Sequence, residues 1–147
     1  LKQQPLIRKI QSEFYGTFEV DESHIYHFPK GIIGFEDEHE YALIQVEGGP
    51  FHLLHSLGEQ LSFVVLPGNY AAEEYGFRIS QNMINLLEIK QPEDVMPFVI
   101  VNVIDDQLYA NLKAPLIFNK TNHKGAQYII DEADYPIRHP LTGKGGA

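Results

Sequence analysis

The chain has 147 residues, of which 44% are apolar and 12% aromatic, with 20 acidic against 11 basic side chains and no cysteine. Such a length is one domain's worth and can bury about two thirds of its unfolded surface, so no covalent staple is required. Lack of cysteine excludes a disulfide scaffold, a thiolate metal site and a cysteine nucleophile, while a formal charge of -9 works against direct nucleic-acid binding.

The N-terminal residues 1–11 are polar and contain Pro5, so a peripheral segment is expected there, with the domain proper over residues 12–141 and a flexible C-terminal tail over residues 142–147. No charged stretch followed by an apolar one opens the chain, and no apolar run is long enough to span a bilayer, so a cytoplasmic protein without a membrane partner is expected. Phe14, Gly16, Phe18 and Val20 alternate with polar neighbours, the period of a strand with one buried face. Further β-rich runs follow at residues 24–28, 41–46, 51–57, 61–66, 98–104, 108–112, 116–119 and 127–130, separated by Gly, Pro, Asn or Asp. Runs such as Tyr41-Ala42-Leu43-Ile44 and Val99-Ile100-Val101 are apolar on both faces, which predicts strands covered from both sides. Gly48-Gly49-Pro50 and Pro67-Gly68-Asn69 read as turns, and Asp105-Asp106 is short enough to close a hairpin.

One segment prefers a helix. Ser80 is placed to cap it, Ile79 and Ile84 to staple it, and Pro92 to end it, with Met83, Ile84 and Leu87 on the face that packs on the sheet, over a barrel mouth. The fold class expected is therefore mainly β, a single-domain antiparallel β-barrel-like fold with one short packed helix.

Catalytic constellations are sparse. His24 and His27, like His52 and His55, are three apart and point to opposite faces of a strand, so neither pair chelates an ion alone. A cross-strand site, as in a cupin-like metal-dependent enzyme, is the alternative that survives. Asp131-Glu132-Ala133-Asp134 spells a helicase box, but no phosphate loop accompanies it, and no serine has a nucleophile-elbow setting. No catalytic residue, metal or cofactor is expected.

Charge is distributed unevenly: residues 1–74 carry 4 basic and 12 acidic side chains, residues 75–147 carry 7 and 8. The densest acidic run, Glu36, Asp37, Glu38 and Glu40, suits a solvated loop or a docking surface for a basic partner better than paired catalytic carboxylates, which need contrasting environments. A general acidic chaperone or nucleic-acid mimic is a third reading.

The strongest local signature is Phe28-Pro29-Lys30-Gly31-Ile32-Ile33-Gly34-Phe35-Glu36, where two glycines three apart, Gly31 and Gly34, imply positive φ or close backbone approach beside a buried Phe35. It resembles the F-P-x-G-I-P-G-F-E segment of the flagellar assembly factor FliW family. Phe51-His52-Leu53-Leu54-His55-Ser56 is similar to that family's F-x-x-L-Q-S, and the stretch from Asn111 and Leu112 through Pro115 to Asn119 to its N-L-x-A-P-I-x-I-N. Gly125-Ala126-Gln127 and Tyr135-Pro136-Ile137-Arg138-His139 continue the likeness. Ile33 stands where the family usually has Pro, His55 where Gln is common, and Tyr109-Ala110 where Thr-Val usually precedes Asn-Leu.

The resemblance implies a non-enzymatic β-barrel protein that binds flagellin and, when flagellin has been exported, the translational regulator CsrA, relieving repression of flagellin synthesis. It implies no direct contact with nucleic acid. Gly31, Gly34, Phe35, Asn111, Leu112 and Pro115 are then expected to fix the fold, and Glu36, Asp37, Glu38 and Glu40 to face a partner. Residues 51–57 and the Met83, Ile84 and Leu87 face are candidates for an apolar flagellin patch.

Overall fold

The computed structural model describes residues 7–141; the expected C-terminal tail and the first six residues lie outside them. The chain opens with β1 (Ile7–Ser12) and β2 (Gly16–Asp21), an antiparallel hairpin in which Ser12 faces Gly16 across a three-residue loop. Gly16, the first residue after the loop, takes φ +78, a left-handed conformation that glycine adopts without steric cost. Ser12 Oγ accepts hydrogen bonds from the amides of Phe14 and Tyr15 at 3.3 and 3.1 Å, which fixes the turn. Ile10 on β1 is buried together with Val20, so the hairpin packs as a unit on its neighbours. Phe14 belongs to the turn and not to the strand.

The strands β3 (Ile25–His27), β4 (Glu40–Gln45), β5 (His52–Ser56), β6 (Ser62–Pro67) and β7 (Val95–Ile104) pair consecutively and antiparallel. Beyond β8 (Gln107–Ala110), β9 (Leu116–Asn119) pairs with the start of β7 and with β10 (Lys124–Gln127). A parallel pairing of β10 with β3, in register at Lys124 and His27, closes a barrel of seven strands. The ten-residue β7 makes this possible: it contacts β9 with its first residues, β6 with its middle and β8 with its end. The short β11 (His139–Pro140) adds to β8 outside the barrel.

The interior is aromatic. Phe118 meets Tyr26, Phe28 and Phe98 edge-on at 4.9, 5.6 and 5.3 Å, and Tyr41, Leu43, Leu54, Val65 and Leu116 complete the packing. The outer wall is also covered. The hairpin lies over Ala42 and Ile44, and Leu66, Val99 and Val101 lie under Tyr75, Tyr135 and the helical turn α1 (Gly68–Ala71). The helix α2 (Gln81–Leu87) covers Ile117 and Ala126. This explains the runs apolar on both faces: Tyr41 and Leu43 point inward while Ala42 and Ile44 meet the hairpin.

Four local expectations are corrected. Helix α2 is capped by Ser80, whose Oγ accepts from the Met83 amide at 3.2 Å, but it packs on the outer wall instead of over a mouth. It stops at Glu88, which takes the left-handed conformation at φ 54, while Pro92 opens a separate turn of 3-10 helix. Residues 68–71 form a second short helix where a turn was expected, and its Gly68 leaves room for the Tyr75 ring, which lies 2.8 Å from where a Cβ would stand. The strand expected at 127–130 is β10 at Lys124–Gln127; residues 128 and 130 continue only as single amide bonds to the carbonyls of Pro115 and Lys113.

Candidate functional site: an acidic and aromatic end of the barrel

The connection from β3 to β4, residues 28–39, is built by its glycines. Gly31 has φ +68, and a Cβ there would lie 2.7 Å from the Cα of Glu36, so the loop folds back onto its own backbone. Gly34 has φ +93 but open space around it. Phe28 and Ile32 anchor the loop in the core, whereas Ile33 projects outward with its amide donated to Gln127 Oε1 at 2.9 Å. Phe35, expected buried, is 44% exposed and touches Phe63 edge-on at 5.8 Å. It seals one end of the barrel from outside.

The four acidic residues do different work. Glu36 is exposed and accepts the Gly34 amide at 3.0 Å, a bond that holds its carboxyl below the usual range. Asp37 is exposed on the loop. Glu38 is half-buried and accepts the Ser56 hydroxyl at 2.5 Å, while Ser56 Oγ in turn accepts the amides of Gly58 and Glu59 at 3.0 Å each. Glu38 therefore ties the acidic loop to the loop at residues 57–60. Burial of the neighbouring Tyr41 and, to a lesser degree, the Glu38 charge push the Tyr41 hydroxyl up to about 12. Glu40 stands on β4, 3.6 Å from Arg8 of the hairpin. Exposed ion pairs of this kind contribute little.

The loop at 57–60 also meets the hairpin: Gln60 donates to the Gln11 carbonyl at 2.6 Å and accepts the Glu13 amide at 2.8 Å. Hairpin tip, residues 57–60 and acidic loop thus form one continuous surface bearing Glu13, Phe14, Tyr15, Glu59, Asp37 and Glu36. The part contributed by the hairpin was not anticipated from the sequence. Two adjacent aromatic residues just before a turn glycine were the available signal.

Other expected site residues are structural. Asn111 Oδ1 accepts the amides of Lys113 and Ala114 at 3.1 and 3.2 Å, turning the chain after β8. Leu112 is buried under the outer cover, and buried Pro115 lends its carbonyl to Tyr128. Of residues 51–57, Leu53, Leu54, His55 and Ser56 are buried, and Phe51, His52 and Leu57 are half-buried. Leu87 is likewise buried against the wall. Met83 instead lines a shallow apolar groove with Leu86, Ile33, Tyr128 and Ile129, between α2 and the 31–36 loop. His27 stacks on His39 at 5.9 Å, and His55 is enclosed by Tyr15 and Phe18. Among the described residues no group of three or more His, Asp or Glu is placed to hold a metal ion. No helix among them is long and apolar enough to cross a membrane.

The family description "FliW protein" matches residues 9–141. The chain belongs to the FliW family. It is 35% identical over 135 residues to a flagellar assembly factor FliW of Caldicellulosiruptor saccharolyticus, covering 90% of this chain and 89% of that one. It is 39% identical over 137 residues to a counterpart in Syntrophomonas wolfei, covering 90% and 88%. The crystal structure of a flagellar assembly factor FliW superposes with a TM-score of 0.84 at 32% identity, over 92% of this chain and 98% of that one. The seven-stranded barrel is thus the FliW architecture, and the match starting at residue 9 takes in part of β1.

Proposed function

We propose that this FliW-family chain acts in the cytoplasm as a non-enzymatic assembly factor that binds flagellin and the translational regulator CsrA in turn, relieving repression of flagellin synthesis when flagellin is scarce. Membership of the family across residues 9–141 carries this reading. The apolar groove beside α2 suits a flagellin segment. The acidic loop suits the basic regulator, where Glu36, Asp37, Glu38 and Glu40 repel RNA phosphates from the docked partner within about 10 Å at physiological salt. An antagonist acting this way must bind the RNA-free regulator more tightly than the RNA-bound one, and the coupling is reciprocal.

Co-elution of the purified protein with flagellin and, separately, with the regulator tests the partners. For the acidic surface, Glu36→Gln, Asp37→Asn and Glu40→Gln are combined while Glu38 is kept, because it holds Ser56. The triple variant is expected to bind the regulator more weakly and to displace RNA poorly at low salt. Unchanged binding and displacement would sink the electrostatic part of the proposal.

A further inference from the structure

We propose that the tip of the β1–β2 hairpin, Phe14 and Tyr15, is a preformed knob that enters an apolar socket on a basic, RNA-binding partner protein. The inference deepens the regulator-binding reading above and rests on it.

The first ground is exposure. Phe14 is 82% exposed and Tyr15 51%, at a tip where turn chemistry favours Gly, Asn, Asp or Ser. Only Gly16 answers the turn's conformational demand. The hairpin's contribution to the core is already made by Ile10, Phe18 and Val20. Tyr15 covers the buried His55 with one edge, but folding gains little from the Phe14 ring, and a local rule broken without a packing gain marks a functional site.

The second ground is rigidity. Ser12 Oγ binds both tip amides, Gln60 clamps the hairpin at Gln11 and Glu13, and the Tyr15 ring leans edge-on against His55 at 6.4 Å and Phe14 at 6.5 Å. A preorganised aromatic loses little freedom on docking, which is what an anchor residue needs.

Charge identifies the occupant. Glu13 precedes the tip, and Gln60, which clamps it, follows Glu59 on the loop tied to Glu38. Lys9 is the exposed base on this side, since Arg8 stands near Glu22 and Glu40 at 3.6 Å from each. A socket reached past these carboxylates must be rimmed by Lys or Arg, and the same carboxylates repel RNA and anionic lipid.

The probes are the purified regulator, flagellin, and vesicles containing an anionic lipid. The variants are Phe14→Ala, Phe14→Ala with Tyr15→Ala, and Phe14→Leu. The double variant is expected to lose at least about tenfold in affinity for the regulator, mainly through faster dissociation, with flagellin binding unchanged. Phe14→Leu retains most of the affinity. Should the double variant lower the thermal midpoint, the single Phe14→Ala change decides, as it removes only an exposed ring. Reversing charge with Glu13→Lys and Glu59→Lys leaves the tip intact and slows association. If wild type binds the regulator and the double variant binds it equally well, this inference fails while the functional reading stands. Loss of flagellin binding alone, or wild-type binding to vesicles that the double variant abolishes, overturns the choice of occupant. Wild-type protein that binds neither protein probe overturns both readings.

Discussion

Gly31 and Gly34 share the left-handed region three residues apart, yet their environments separate them. A methyl at Gly31 would meet backbone atoms of Phe35 and Glu36 at 2.7 Å, and backbone cannot swing aside as a side chain can; at Gly34 nothing lies within 4 Å. Gly31→Ala is expected to cost about 2–4 kcal/mol, combining left-handed strain with the clash, and Gly34→Ala about 1 kcal/mol from strain alone. Urea unfolding midpoints of the two variants check the order; equal midpoints would mean the loop relaxes freely. Both glycines were visible in the sequence as a turn requirement. Their difference was not, because it depends on Glu36 folding back over Gly31. Phe35 shows the same limit: its place in a signature suggested burial, whereas a residue that caps a barrel end has one face in water.

At the scale of elements, strands were legible wherever alternation or a doubly apolar run was bounded by turn residues. β1 is not legible because its sequence, Ile-Arg-Lys-Ile-Gln-Ser, spaces its isoleucines three apart, and only Ile10 and Ser12 are buried. Helix α2 was readable from its cap and apolar face, but which wall it covers depended on Asn119, whose buried amide donates to the Leu87 carbonyl at 2.8 Å from the end of β9. The β7–β8 hairpin gives a test of turn chemistry. Asp105 and Asp106 both have positive φ, 51 and 65, in a two-residue turn that favours Asn-Gly, and their like charges are adjacent. Asp105→Asn with Asp106→Gly is expected to stabilise the protein by about 0.5–1 kcal/mol, read as a raised thermal midpoint. A lowered midpoint would show that the aspartates have partners the turn geometry does not reveal.

For the whole molecule, closure of the barrel was the feature least legible in sequence, since it rests on the parallel β3–β10 contact, registered at Lys124 and His27 and joined by the His27 amide to the His123 carbonyl at 2.8 Å. Charge asymmetry, by contrast, was fully legible, and folding gives it a location. Glu13, Glu36, Asp37 and Glu59 converge on one surface from the hairpin and two separate loops, although 46 positions separate the first from the last. The groove lined by Met83 and Ile129 is apolar by comparison, although Glu36 lines it as well. On the function proposed above, two partners held by two kinds of surface respond differently to salt. Raising ionic strength from 50 to 500 mM is expected to slow association with the basic regulator about tenfold or more while leaving its dissociation nearly constant, because steering acts on encounter. Flagellin association through an apolar groove should change far less over the same range. Neutralising Glu36, Asp37 and Glu59 together should flatten the regulator's salt dependence toward that of flagellin. Stopped-flow measurement of both partners across the salt series checks this: parallel slopes for the two would mean that the acidic end does not distinguish them.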